Sequence, residues 1–221
     1  MRKQIFLIPL LLPLFSYSQV NIINRSLIDS NLNIVYIGVD NEIELTGLKS
    51  FDNLSFSTTN GRLIELAQNR YILNFFEKGE CILSLKKKEK LIAQKTFKAA
   101  VIPDPHPRFS SQYDSISKKG GYTYYISYNN LIKDPVFRVE APNCYFRQPW
   151  KILSYRITLE DTLSSNGSTT ELVVPGAELN EEQIQIIKKY GGNTFMVIDQ
   201  IRVEGPDSRK RQLIPQIFMI N

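Results

Sequence analysis

Histidine occurs once in 221 residues and cysteine twice. Zinc sites, Ser/His/Asp triads and Cys/His dyads are assembled from these residues, so the chain lacks the parts for most of them. Two cysteines also exclude the disulfide framework that holds many small secreted domains together. Neither Gly120-Gly121 nor Gly191-Gly192 has the spacing or the lysine of a phosphate loop. The sole histidine, His106, sits in a proline segment without a neighbouring nucleophile, so it reads as a spacer or surface residue. The sequence therefore points to no catalytic residue, no metal ligand and no cofactor. An enzyme built on this chain would have to work with carboxylates, lysines or tyrosines.

Long apolar runs are equally scarce. The one at the start extends from Ile5 to Phe15, follows Arg2-Lys3 and ends in Ser16-Tyr17-Ser18. It is too short for a bilayer span, which needs about 20 apolar residues, and Pro9 and Pro13 interrupt it. Residues 1–18 read instead as a cleaved signal peptide, which implies a periplasmic or secreted protein. Loss of Arg2 and Lys3 lowers the formal charge from +5 to +3. A balance this mild excludes the strong basic face of a nucleic-acid binder.

Residues 19–102 alternate short runs rich in Ile, Leu, Phe and Tyr with Asn, Gly and Asp at the spacing of an Ig-like β-sandwich. Strands are predicted at 33–38, 42–45, 54–58, 63–66, 71–76, 80–86 and 91–101, with a turn at Asn60-Gly61 and a solvated lysine-rich tip at 86–90. Cys81 falls inside this alternation and reads as a buried free thiol, while Cys144 belongs to the other half. Three prolines in Ile102-Pro103-Asp104-Pro105-His106-Pro107 mark 103–107 as a stiff linker.

Residues 108–221 read as a smaller α+β domain with one capped helix and a C-terminal hairpin. Asn180 can cap, Gln183 can close a capping box, Glu181 and Glu182 open the first turn, Lys188 and Lys189 close the last, and Gly191 terminates. Hairpins are expected to join 150–160 to 169–174 around Asn166-Gly167, and 194–204 to 212–220 around Gly205-Pro206-Asp207-Ser208. Pro215 predicts that the last strand is an edge strand or begins near it.

An order of features in this half resembles the C-terminal region of GldM, a gliding-motility protein of the type IX secretion motor. They are Ile102-Pro103-Asp104-Pro105, Lys151-Ile152-Leu153-Ser154-Tyr155, the capped helix with Gly191-Gly192, and above all Ile198 to Asp207 followed by Arg211 and Leu213-Ile214-Pro215. Val35 to Asn41 is similar to the sandwich domain that precedes this region. The transmembrane and helical N-terminal parts of the motor protein have no counterpart in these residues, and Ser208 stands where the family usually has a glycine. The resemblance implies a non-enzymatic binding module, an accessory of gliding motility or type IX secretion. Its implied partner is a periplasmic or outer-membrane-associated protein such as a secretion-ring component.

Arg209, Lys210 and Arg211 at the last hairpin tip are the candidate partner-binding residues, suited to an acidic surface. The alternative is a carboxylate-based glycan-binding or glycan-hydrolysing protein using Tyr122, Tyr124, Tyr125 and Tyr128, with Tyr113, Tyr145 and Trp150 nearby in sequence. Strand alternation would bury several of these rings. Glu160-Asp161 and Glu181-Glu182 are sequence neighbours that point apart, and the second pair is explained by the start of a helix. Cleavage after Ser18 is expected, so intact-mass measurement of the exported protein should find Gln19 at its N-terminus; Met1 retained in a membrane fraction would contradict this.

Overall fold

Alternating apolar residues with turn-forming breaks give a chain that is mainly β. The computed structural model describes residues 20–109, 112–113, 123–147, 149–161 and 169–221. The expected processing site after Ser18 and the turn expected at Asn166-Gly167 lie outside the described residues.

The first eight strands are β1 (Asn21–Asn24), β2 (Ile34–Tyr36), β3 (Asn41–Thr46), β4 (Leu54–Thr58), β5 (Arg62–Ala67), β6 (Arg70–Asn74), β7 (Gly79–Lys87) and β8 (Lys90–Ala100). They form two four-stranded sheets, ordered β1-β3-β6-β5 and β2-β8-β7-β4. That is the immunoglobulin arrangement, with the short β2 added parallel to β8. Every second residue faces inward: Ile43 and Leu45 on β3, and Cys81, Leu83 and Leu85 on β7, are buried with Val35, Leu73 and Phe97. Cys81 is a free thiol 3.1 Å from the Thr58 hydroxyl, and its burial pushes its pKa up.

The Asn60-Gly61 turn carries the chain from one sheet to the other, because β4 and β5 pair with different partners. Gly61 has φ +87°, and a Cβ there would lie 2.3 Å from the Asn74 carbonyl oxygen. Glycine is required by both conformation and space. At the lysine-rich tip, Lys88 and Glu89 both have positive φ, as a two-residue type I′ hairpin demands.

The second domain contains β9 (His106–Phe109), β10 (Gln112–Tyr113), β11 (Thr123–Ile126), α1 (Tyr128–Lys133), β12 (Phe137–Glu140), β13 (Lys151–Asp161), β14 (Thr169–Pro175), α2 (Glu181–Tyr190), β15 (Thr194–Glu204), β16 (Lys210–Gln212) and β17 (Gln216–Ile220). Its main sheet runs β10-β11-β17-β15-β13-β14, with β16 also paired to β15. Both expected hairpins form, β13 with β14 and β15 with β16 and β17. The last strand begins immediately after Pro215, yet it is no edge: β17 lies between β15 and β11, running parallel to β11. Helix α2 has the full capping box, with Asn180 Oδ1 and Gln183 Oε1 each accepting a backbone N–H at 2.9 Å. Ile187 is buried on the same core as Phe109, Phe137, Tyr155 and Phe218, and Ile184, Ile186 and Tyr190 pack beside it.

The proline segment is shorter than 103–107, because His106 and Pro107 are already in β9, opposite Glu140 and Val139. The halves are also less separate than a linker suggests. A third cluster joins Leu27, Tyr36 and Val39 of the sandwich to Ile102 and to Cys144 and Phe146 of the second domain. Backbone bonds flank it: Ile28 N–H donates to the Tyr145 carbonyl at 2.7 Å and Arg147 N–H to the Ser26 carbonyl at 2.9 Å. The Tyr36 ring meets Phe146 edge-on, with centroids 6.0 Å apart, and its hydroxyl accepts the Tyr145 N–H.

Phe146→Ala should therefore remove about 3 kcal/mol or more from this junction. Calorimetry should then separate the two domains into distinct unfolding transitions, and one unchanged transition would show that the cluster does not couple them.

Candidate functional site

The hairpin joining β15 to β16 is built around a type I turn. Pro206 presets φ at its second position, and the Ser208 N–H donates to the Gly205 carbonyl at 2.9 Å. Ser208 then takes the left-handed conformation, φ +57°, which closes the three-residue loop. This is the position where the resemblance leads one to expect glycine. Gly205 has a different role: a Cβ on it would lie 2.5 Å from Arg211 Nη1 and 2.9 Å from the Trp150 ring. The glycine makes room for the Arg211 side chain.

The three basic residues do not act alike. Arg211 donates Nη1–H and Nη2–H to the two carboxylate oxygens of Asp207, at 2.9 and 2.6 Å. Its Nε lies 2.9 Å from Asp104 of the proline segment, and its guanidinium stacks 4.9 Å from the centre of the Trp150 ring. The Asp207 carboxylate is only 2% exposed. Burial alone would raise its pKa, but the bonds from Arg211 and the Arg209 N–H, with the Arg211 charge, hold it below the usual carboxylate range. Arg211 is thus committed to the protein's own interior and is withdrawn from the expected binding set. Arg209 is 65% exposed, and Lys210 is exposed beside it.

On the opposite face of the same two strands the register places Arg202 across from Gln212 and Glu204 across from Lys210. Arg202, Lys210 and Gln212 border a shallow groove of about 310 Å³ with Leu153 and the flank of Arg211. Arg202 was missed because it is eight residues from Lys210 in sequence; only the hairpin register brings them to one surface. The arrangement offers cationic donors over a small apolar floor, which suits carboxylate side chains of another protein.

The described tyrosines of the expected set divide between core and surface, and Tyr125 on β11 is exposed. Tyr124 packs against Phe218 with centroids 5.7 Å apart, Tyr128 lies on the same core, and Trp150 is covered by Arg211. Tyr145 stands at the domain junction, partly exposed. Tyr122 and the Tyr113 side chain lie outside the described residues. Glu181 and Glu182 occupy the first turn of α2, and His106 is exposed on β9. Among the described residues no cluster of three or more His, Cys, Asp or Glu side chains could hold a metal, and no helix is long and apolar enough to cross a membrane.

No family model and no curated protein sequence matches the chain. Among solved structures it is similar to the Yersinia pseudotuberculosis adhesin InvE, with 12% identity and a TM-score of 0.28 over 93% of this chain and 60% of that one. It is similar to Yersinia pseudotuberculosis InvD at 11% identity and the same TM-score, over 92% of this chain and 68% of that one. The chain thus spans 60% of the length of InvE. Scores this low assign neither fold nor role, and the immunoglobulin arrangement stands on the strand order alone.

Arg211→Ala would strand the Asp207 carboxylate in a buried site, so urea unfolding should show a loss of about 3 kcal/mol or more. Arg209→Ala and Lys210→Ala should each stay within about 0.5 kcal/mol. Because the folded Asp207 pKa is depressed, its stabilising contribution is complete above the unfolded value of about 3.9 and disappears as pH falls through the folded one. Asp207→Asn should flatten that acid limb of the stability profile.

Proposed function

We propose that this chain is an exported, non-enzymatic protein-binding module, similar in role to the distal periplasmic part of GldM. It docks an acidic partner through this hairpin, with Arg202 and Lys210 on the groove face and Arg209 exposed at the tip. The observation that supports this reading is the division of labour within the hairpin: Arg211, Asp207 and Trp150 hold the turn, while the other three cations remain exposed. A held scaffold lowers the entropy lost when its exposed groups are immobilised by a partner. Exposed cations also steer association, an effect that salt weakens within a Debye length of about 8 Å at physiological ionic strength.

The resemblance supports a partner at the outer membrane or in the periplasm, as a component of a secretion or motility assembly. A glycan site remains the weaker reading, since Tyr124 and Tyr128 pack on the core and Trp150 lies under Arg211, leaving Tyr125 and Tyr145 as the exposed rings of that set among the described residues.

The full mature chain, immobilised and exposed to a periplasmic extract of its own host, should capture a protein at low salt. Arg202→Glu, Arg209→Glu and Lys210→Glu together should abolish the capture without changing the thermal midpoint. Capture that survives the triple reversal would move the docking site away from this hairpin.

A further inference from the structure

The sandwich has a second surface of different character, along the edge of β8. β2 covers that edge only at Lys98, Ala99 and Ala100, so among the described residues no strand pairs with Leu91–Thr96 on the same side. The direction of the backbone groups there follows from their neighbours. Lys98 N–H donates to the Asn33 carbonyl and the Ala100 carbonyl accepts from Ile37 N–H, so even-numbered residues present their polar groups to the β2 side. With the two-residue period of a strand, Gln94 and Thr96 turn theirs toward the uncovered side.

Beside this edge lies a cleft of about 540 Å³, bordered by Val20, Ile22, Ser30, Asn31, Gln94 and Lys95. Its other wall is β1, the outermost strand of the facing sheet. The Lys95 ammonium bridges the two walls, donating to the Ile22 carbonyl at 2.8 Å and lying 5.2 Å from the Phe97 ring centre. Between Lys86 and Lys98 there are six lysines and a single acidic residue, Glu89. Lysines along an edge repel strands of the same charge, including a second copy of this one. For an acidic strand the same lysines are attractive, so the device that blocks self-association selects the partner.

We propose that this edge is a second binding site, at which an extended, acidic segment of another polypeptide adds as a strand to β8 along Leu91–Thr96. Backbone hydrogen bonds to Gln94 and Thr96 hold the segment, and Lys88, Lys90 and Lys98 select its charge. The site is separate from the β15–β16 hairpin and stands or falls without it.

The test uses the full mature chain and a fluorescent peptide of alternating Glu and Val, about eight residues long as a strand requires. The control is the matching Lys-Val peptide. The Glu-Val peptide should bind about tenfold or more tightly than the control at low salt, and amide exchange at Gln94 and Thr96 should slow on binding. Lys88→Glu, Lys90→Glu and Lys98→Glu together should remove the preference. Thr96→Pro, which deletes an outward N–H, should weaken binding if that variant folds. Arg202→Glu with Lys210→Glu should leave both readouts unchanged. Equal binding of the two peptides, binding without slowed exchange at Gln94 and Thr96, or slowed exchange on self-association alone would each overturn the proposal.

Discussion

A buried carboxylate remains ionised only when cations and donors replace the water it has lost, and Asp207 is satisfied in this way by Arg211. The geometry around that pair follows from this need. Gly205 has no side chain because the guanidinium passes over it, Trp150 supplies the surface on which the guanidinium lies, and Asp104 takes the remaining Nε. The four partners come from the proline segment, the start of β13 and both sides of the final turn. One arginine therefore ties the entry of the second domain to its last hairpin. The Tyr36–Phe146 contact and the backbone bonds around Leu27 attach the sandwich to the second domain.

The cluster around Tyr36 and Phe146 makes the relation of the two domains a matter of packing as well as of the prolines. Proline restricts its own φ but leaves the rotations on either side to be fixed by something else. Here Ile102 is buried between the domains, and the segment that follows becomes a strand by His106.

Much of this was legible in the chain because the signals were local. The strands of the sandwich core alternate cleanly, and α2 carries a reciprocal cap, charged ends and a terminating glycine. Helix α1 escaped notice for the opposite reason: Ser127 makes no side-chain cap and the first turn has no acid. β1 escaped as well, since Asn24 is a buried amide whose bonds to Ile34 and Ser26 replace the apolar pattern. The central place of β17 is a long-range pairing that no local pattern encodes. Arg209-Lys210-Arg211 reads as one basic patch, yet successive strand residues face opposite ways, so Lys210 faces the groove while Arg211 turns to Trp150. Arg202 becomes part of the surface by the same rule applied across the hairpin.

The placement of β17 also dictates an order of assembly. A strand that lies between β11 and β15 but follows both in the chain cannot be filled in until everything before it is available. The sandwich needs only residues up to about Ala100 and can close first, as N-terminal domains generally do during synthesis. The second sheet must wait, with β11 and β15 held apart or unpaired, until Gln216–Ile220 arrives. Because Lys210–Gln212 is also late, the Arg211 contacts that tie the Asp104 segment to the last hairpin form near the end, after the residues of the Tyr36–Phe146 contact are already available.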